Sequence, residues 1–473
     1  MRLLTSLLQG ILTREASQSR CAFHYATMQP RETQRELLFS QLRDRAETGF
    51  GRDHQFSSIR TVEDFRRQVP ITNYDYAQPY IERVMQGEPS ALFNGDKLLM
   101  FTMTSGTTGK RKFIPVTKKY LDDYRRMWHV WGLYAYETHP ELFLKKKMAF
   151  MGDWEEMRSP SNIPCGNMSG LTAKMQSRLV QSSYCLPLQS AKVSDIDAKL
   201  YLAWRIGVMS DVGTWMAPTP RILVTLARHG TTCADELIRD VRDGTLSAGY
   251  DYPPALQKMV SKRLRADPQN AHRLETILNE TGELLPRRVW PNLGLIATWL
   301  GGTFRTYLRF FPEYFGDAAV RDIGVIASEG RFTLPIEDGT PAGILEIGST
   351  YFEFVPVGEI DAASPTILEA HELQEGGEYY LLLTTTSGLY RYNIFDVVKC
   401  VGWYQSTPLL EFLHKGSHVV DLAGEKLTEH QVVTAVDRAL EEQGMTLRTY
   451  TMSPRRDAER PHFTLFAEQD EFA

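Results

Sequence analysis

The sequence predicts an α/β protein in two parts: a large multilayer N-terminal domain over residues 1–413 and a small C-terminal α/β domain over residues 414–473. Three observations carry this. As far as Asp322, amphipathic helical patterns alternate with short apolar runs. Beyond it, strand-like segments follow one another through turns, which reads as a mostly antiparallel β section. Near Leu413 the texture shifts again, to a turn, a short strand, a Gly-Glu-Lys turn and a helix.

Composition bounds the function. With 473 residues, 42% apolar and 23% charged, the chain is long enough for a large buried core. A formal charge of −5 offers no basic excess, so no nucleic-acid partner is expected. Cys21, Cys165, Cys185, Cys233 and Cys400 are scattered and form no C-x-x-C pair, which argues against a disulfide framework and a zinc site. Reduced thiols in a cytoplasmic protein are expected. The N-terminal apolar run is broken by Thr5, Ser6, Gln9 and Gly10, and its Leu and Ile residues fall at helical spacing. An amphipathic helix packed on the body fits better than a secretory signal. No apolar run approaches the ~20 residues of a membrane span.

Residues 1–95 read as mostly helical, with Thr61 as an N-cap and Pro70 as a breaker. Leu98–Thr102 is a short strand. After Pro115 a long helix follows, with Tyr120, Tyr124, Met127, Trp128 and Trp131 on one face, a stripe that predicts core. "KKMAFMGD" is a buried strand. "DIDAKLYLAWRIGVM" and "PRILVTLARHG" are amphipathic helices, the second closed by Gly230. Residues 255–283 are polar and helical. "LGLIATWLGG" is an apolar run stopped by two glycines, which suits a buried strand. Thr428 and Gln431 form a capping box for the last helix.

The chemistry concentrates in four stretches. "TSGTTGKRKFIP" combines glycines that admit a ligand to the backbone (Gly106, Gly109), hydroxyls (Thr104, Ser105, Thr107, Thr108) and cations (Lys110, Arg111, Lys112). That is the donor set a polyphosphate needs, although a solvated turn uses the same residue types. It is not a Walker A loop, because its glycines stand too close and Arg111 follows Lys110. "IASEGRF" puts Ser328 and Glu329 at the end of an apolar strand, where a carboxylate suits Mg²⁺ or is simply an exposed turn residue. In "YRYNIFDVVK" Asp396 sits among apolar neighbours and needs a partner, either Arg391 or Lys399, or the ribose hydroxyls of a nucleotide. "GEKLTE" offers Lys426 on a turn.

Together these stretches resemble the adenylate-forming superfamily, and within it the plant auxin-responsive acyl acid–amido synthetases and their bacterial-type relatives. "TSGTTGKRKFIP" matches the ATP loop, "IASEG" the Ser-Glu motif, "GEKLTE" the acidic-Lys turn, and "YRYNIFD" matches a Tyr-Arg-x-x-Asp motif more loosely, with two extra residues. The resemblance implies a distorted β-barrel within the antiparallel section and a C-terminal lid, here short, as in a truncated domain. It implies ATP-dependent adenylation of a small-molecule carboxylic acid, then transfer to an amine, or to a thiol as in acyl-CoA ligases. A nucleotide-binding pseudoenzyme and a plain binding protein stay open beside it. ATP and Mg²⁺ are the implied cofactors, and the implied state is monomer or homodimer. Residues 104–112 would hold the β- and γ-phosphates, with Lys110 neutralising charge. Ser328 would sit by the adenine or α-phosphate, Glu329 would bind Mg²⁺ and Asp396 the ribose. Lys415 matches a basic hinge residue, and Lys426 would approach the adenylate when the lid closes. The acyl pocket is expected along the 121–136 helix and "TWMAPTPRI", with Trp131, Trp215 and Met216 as wall candidates and Arg221 as a candidate for a second carboxylate. For each of these four residues, packing or a surface ion pair is the plainer expectation.

Overall fold

A computed structural model describes residues 2–105, 111–416, 419–421, 426–445, 447, 450–455 and 462–467, with backbone alone for 2–13, 105, 419–421, 426, 430 and 441. The helices begin where the sequence places their caps. Thr61 accepts from the Asp64 N–H and Asp64 answers in a capping box, and the helix Val62–Gln68 stops before Pro70. Thr428 and Gln431 exchange the same pair of bonds at 2.9 and 3.2 Å ahead of the helix Glu429–Gln443.

Three sheets position the site. The first has four strands in the order Arg111–Thr117, Leu98–Ser105, Pro164–Gly166, Met157–Arg158. Its leading pair is a hairpin in which Thr104 faces Lys112 and Ser105 faces Arg111, so the Gly-rich stretch connects the two strands. The second sheet is parallel, in the order Lys146–Ala149, Val212–Met216, Leu295–Thr298, Ala319–Asp322. Helices fill the first two crossovers, as parallel pairing requires. Strand alternation divides its faces. Met148, Trp215 and Ile296 enter one core with Trp204 and Trp290. Leu295 and Ala297 face the helix Lys118–Thr138 through Met127, Val130 and Trp131.

The third sheet is antiparallel with six strands, in the order Thr333–Leu334, Gly343–Leu345, Thr407–Lys415, Tyr392–Tyr404, Glu378–Thr384, Tyr351–Pro356. Among the described residues its outermost strands do not pair, so the expected barrel section is an open sheet.

Gly230 corrects the sequence reading. The helix runs from Pro220 to Thr232 and passes through it. A Cβ there would lie 2.1 Å from Trp204 Cζ2, so glycine serves close packing against the indole rather than a stop. The five cysteines are free thiols. No helix among the described residues is long and apolar enough to cross a membrane.

Candidate active site

Ser328 and Glu329 form the turn of a tight hairpin, with Ile326–Ala327 paired to Gly330–Arg331. Two neighbours fix it. Thr102, on the first sheet, donates to Ser328 Oγ at 3.1 Å, and the Tyr120 phenol donates to the Ser328 carbonyl at 3.0 Å. Tyr120 starts the long helix, whose N-cap Thr117 accepts from the Tyr120 N–H at 3.2 Å. The hairpin is therefore clamped between the Gly-rich strand pair and the helix that follows it.

Glu329 is buried. Desolvation raises its pKa, Lys415 and Lys112 pull it down, and Asp396 pushes it up again. Burial and the charge of nearby Glu329 raise the Tyr392 phenol. Burial likewise raises the Asp396 carboxyl, against the pull of Lys415, which pairs with Asp396 Oδ1. The two face each other across neighbouring strands, and Lys415 Nζ also donates to the Ile394 carbonyl at 3.3 Å. Asp396 thus takes neither cation offered by its sequence neighbours. Arg391 is committed elsewhere, donating to Glu353 at 2.8 Å beside Arg66 and to the Val69 carbonyl at 2.8 Å.

A bulge absorbs the two extra residues of "YRYNIFD". Tyr380 faces Val397 and Leu382 faces Asn393, so a step of two residues on one strand spans a step of four on the other. Phe395 takes φ 60° there, and its N–H is held by Asn393 Oδ1 at 2.7 Å. Asp396 emerges from this bulge against Lys415.

These residues open onto one cavity of about 1380 Å³, above the ~300–1,000 Å³ of an ordinary ligand pocket. Thr104, Lys112, Ser328, Glu329, Asp396 and Lys415 all line it. Lys112 Nζ lies 5.6 Å over the Tyr74 ring. Gly106, Thr107, Thr108, Gly109 and Lys110 lie outside the described residues, as do the side chains of Ser105 and Lys426. The hairpin stems nonetheless bring Thr104 and Lys112 to the cavity wall. Sequence reasoning missed Tyr392 and Asn393, although both lie within "YRYNIFDVVK", and Thr102, which ends the strand leading to the Gly-rich stretch.

From this polar end the cavity follows the long helix past Tyr124, Trp128, Trp131 and Gly132 to Tyr136, opposite Ala149, Thr214, Met216 and Leu295 of the parallel sheet. The aromatic stripe is therefore both core and wall. Trp131 and Met216 stand in the wall as candidates. Trp215 does not: it points from the opposite face into the Trp204–Trp290 core. Arg221 is exposed and outside the lining. Behind Trp128, the buried Arg331 guanidinium stacks 4.3 Å over the indole and is lowered to about 10 by burial. Asp322 closes the strand ends, accepting from Leu300 N–H at 2.6 Å and Gly324 N–H at 2.5 Å, while burial pushes its carboxyl up to about 7.

No group of three or more His, Cys, Asp and Glu residues gathers as a metal cluster among the described residues. The donor set still fits Mg²⁺, which binds through one or two carboxylates together with substrate phosphates. Glu329 and Asp396 are two buried carboxylates on one cavity wall, and burial disfavours the charge on both.

Comparison with known proteins identifies the family and the fold. The GH3 family N-terminal domain matches residues 20–320, and the GH3 family central domain matches residues 343–415. Jasmonoyl–L-amino acid synthetase JAR4 of Nicotiana attenuata is 25% identical, over 94% of this chain and 80% of its own. Indole-3-acetic acid-amido synthetase GH3.3 of Arabidopsis thaliana is 23% identical, over 92% of this chain and 76% of its own. The structure of GH3.15 acyl acid amido synthetase shares the fold, with a TM-score of 0.83 at 20% identity over 94% of this chain and 81% of that one.

Proposed function

The chain belongs to the GH3 family, and from that premise we propose that it is an AMP-forming ligase that adenylates a carboxylic acid and passes the acyl group to an amino acid. One observation carries the reading. Thr104, Lys112, Ser328, Glu329, Asp396 and Lys415 come from separate stretches of sequence and converge on one end of a cavity whose other walls are largely apolar. A nucleotide at the polar end and an acid along the apolar part would meet there.

In the first step a carboxylate oxygen attacks the α-phosphorus of ATP. The acyl–O–P bond forms, the bond to the bridging oxygen breaks, and pyrophosphate leaves with the electron pair. The attacking carboxylate is already ionised at neutral pH, so no base is required. The protein has to position the reactants and neutralise charge. Lys112 and the 104–112 loop would hold the phosphates, and Asp396 would accept from the ribose hydroxyls. Glu329 would hold Mg²⁺, which when bound supplies positive charge to the phosphate oxygens. In the second step a neutral amine attacks the acyl carbon, the C–N bond forms, the acyl C–O bond to AMP breaks with AMP taking the electron pair, and the nitrogen loses a proton to give the amide.

Residues 414–473 would act as a lid on the large domain of residues 1–413, hinged at Lys415–Gly416 and bringing Lys426 to the adenylate. Lys415 ends a long strand and pairs with Asp396, which supports a boundary between the two parts at that point. Protease cleavage near the hinge should change when ATP and acid are added together; equal sensitivity removes the hinge. The free thiols support a cytoplasmic setting. The test of the activity is ATP–pyrophosphate exchange against a panel of carboxylic acids. Exchange that depends on an acid is expected, and ATP binding without acid-dependent exchange refutes the ligase.

A further inference from the structure

Three consecutive lysines, Lys145, Lys146 and Lys147, line the end of the cavity remote from Ser328. Two are committed. Lys145 is ion-paired with Asp211, and Lys146 donates to the Ser182 carbonyl at 2.5 Å. Lys147 is half-buried, and no carboxylate lies within ion-pair distance of it among the described residues. Its ammonium sits 4.9 Å over the Tyr136 ring, and it is close enough to the Tyr184 phenol to draw that pKa down against burial. Both tyrosines line the cavity. The nearby carboxylate in the wall, Glu137, is taken by Arg20 at 2.6 Å.

Backbone geometry aims Lys147 inward. Met148 packs into the core on the other face of the sheet, so its neighbours Lys147 and Ala149 face the cavity. The strand carrying Lys147 is held at its side by the Cys185 N–H, which donates to the Lys147 carbonyl at 2.9 Å. Between the two ends lies an apolar corridor. Tyr124 and Tyr136 are separated by about 18 Å of helix axis at ~1.5 Å per residue. About two-thirds of the way from Tyr124 to Tyr136, a Cβ added to Gly132 would meet nothing within 4 Å, so the helix opens the corridor at that point.

We propose that the acyl substrate is an elongated dicarboxylic acid with an apolar middle, whose unreactive carboxylate is received by Lys147 between the Tyr136 and Tyr184 phenols. The proposal rests on the adenylation reading for the carboxylate that reacts, at the Ser328 end. An ammonium and two phenols form a donor set for a carboxylate, and a partly dry site strengthens such charge-assisted bonds.

The test pairs straight-chain α,ω-dicarboxylic acids of increasing length with monocarboxylic acids of the same length. Acid-dependent pyrophosphate exchange and calorimetric binding are both measured. At the best length the diacid should be favoured about 10- to 100-fold, the worth of one charged hydrogen-bonded contact. Lys147→Met should collapse that ratio and Lys147→Arg should restore part of it. Gly132→Leu should shift the optimum to shorter acids. Exchange with monoacids and no diacid preference overturns this inference and leaves adenylation standing. Diacid binding that needs Lys147 without any exchange upholds the inference and overturns adenylation. Neither binding nor exchange overturns both.

Discussion

Asp396→Asn and Lys415→Met remove opposite halves of one ion pair, and the structure predicts unequal costs. The Asp396 side chain is 6% exposed and that of Lys415 37%. Removing one partner of a fully buried pair costs about 3–5 kcal/mol, because the remaining charge is stranded. Lys415→Met strands Asp396 and also takes a cation from buried Glu329. Since water already reaches Lys415, we discount the cost to about 2–3 kcal/mol at neutral pH. Asp396→Asn instead leaves an ammonium that can turn to solvent, so its cost is about 0–1 kcal/mol.

The pH dependence has a definite sign. Burial already raises the Asp396 carboxyl above its unfolded value, and losing Lys415 raises it further. A carboxyl raised on folding binds more protons in the folded state, so its penalty is absent below the unfolded pKa and grows as pH rises through the folded one. The stability gap between Lys415→Met and wild type should therefore narrow from about pH 8 to about pH 5 in urea unfolding. On the proposed reading Asp396→Asn removes an anionic acceptor for the ribose, worth ~1.5–3 kcal/mol, and should raise the KM for ATP about 10- to 100-fold. Equal destabilisation by the two variants, with an unmoved KM for ATP, would show that the pair is only a clamp between strands.

Four further substitutions probe separate links. Lys110→Ala and Glu329→Gln should each lower pyrophosphate exchange by about 10²-fold or more, the worth of one electrostatic contact in the transition state; near-normal rates in both would sink the phosphate and magnesium assignments. Tyr120→Phe removes the donor to the Ser328 carbonyl and should cost ~1 kcal/mol in urea unfolding together with a fall in kcat; unchanged kcat would mean that the hairpin holds its place without that clamp. Gly230→Ala gains ~1 kcal/mol in helix propensity but forces a methyl into Trp204, so a net loss of about 1–2 kcal/mol is expected, and a rise in Tm would refute the packing argument.

The local features of this fold were legible because they are written in adjacent residues. Thr61, Thr428 and the stems of the Gly-rich hairpin act within a few positions of themselves. What escaped the sequence depended on register. Asp396 finds its cation on the facing strand rather than at Arg391 or Lys399, and the bulge at Phe395 decides that pairing. Glycine is ambiguous for a related reason: at 230 its smallness serves an indole from another helix, and no feature near it in sequence says so. Trp215 and Met216 make the same point on one strand. Alternation guarantees that they face opposite ways, but only the assembled sheet shows that the cavity lies on the side of Met216.

Charge at the polar end gives the last expectation. Among the described lining residues there, Lys112 and Lys415 face Glu329 and Asp396, so cations and anions balance before any nucleotide arrives. The three phosphates of ATP add several negative charges to that balance. Burial already disfavours the charged state of both carboxylates, and an unneutralised polyphosphate would raise them further. On the proposed reading, additional positive charge would come from residues 106–110 and from Mg²⁺ held by Glu329. Chelating divalent metal should therefore weaken ATP binding strongly and AMP binding little, because AMP would keep the proposed ribose contact at Asp396 and adds only one phosphate. Calorimetry of both nucleotides with and without EDTA measures the difference. Equal loss of the two would mean that the metal serves the fold rather than the phosphates. No loss of either would assign the whole neutralisation to Lys110, Arg111 and Lys112.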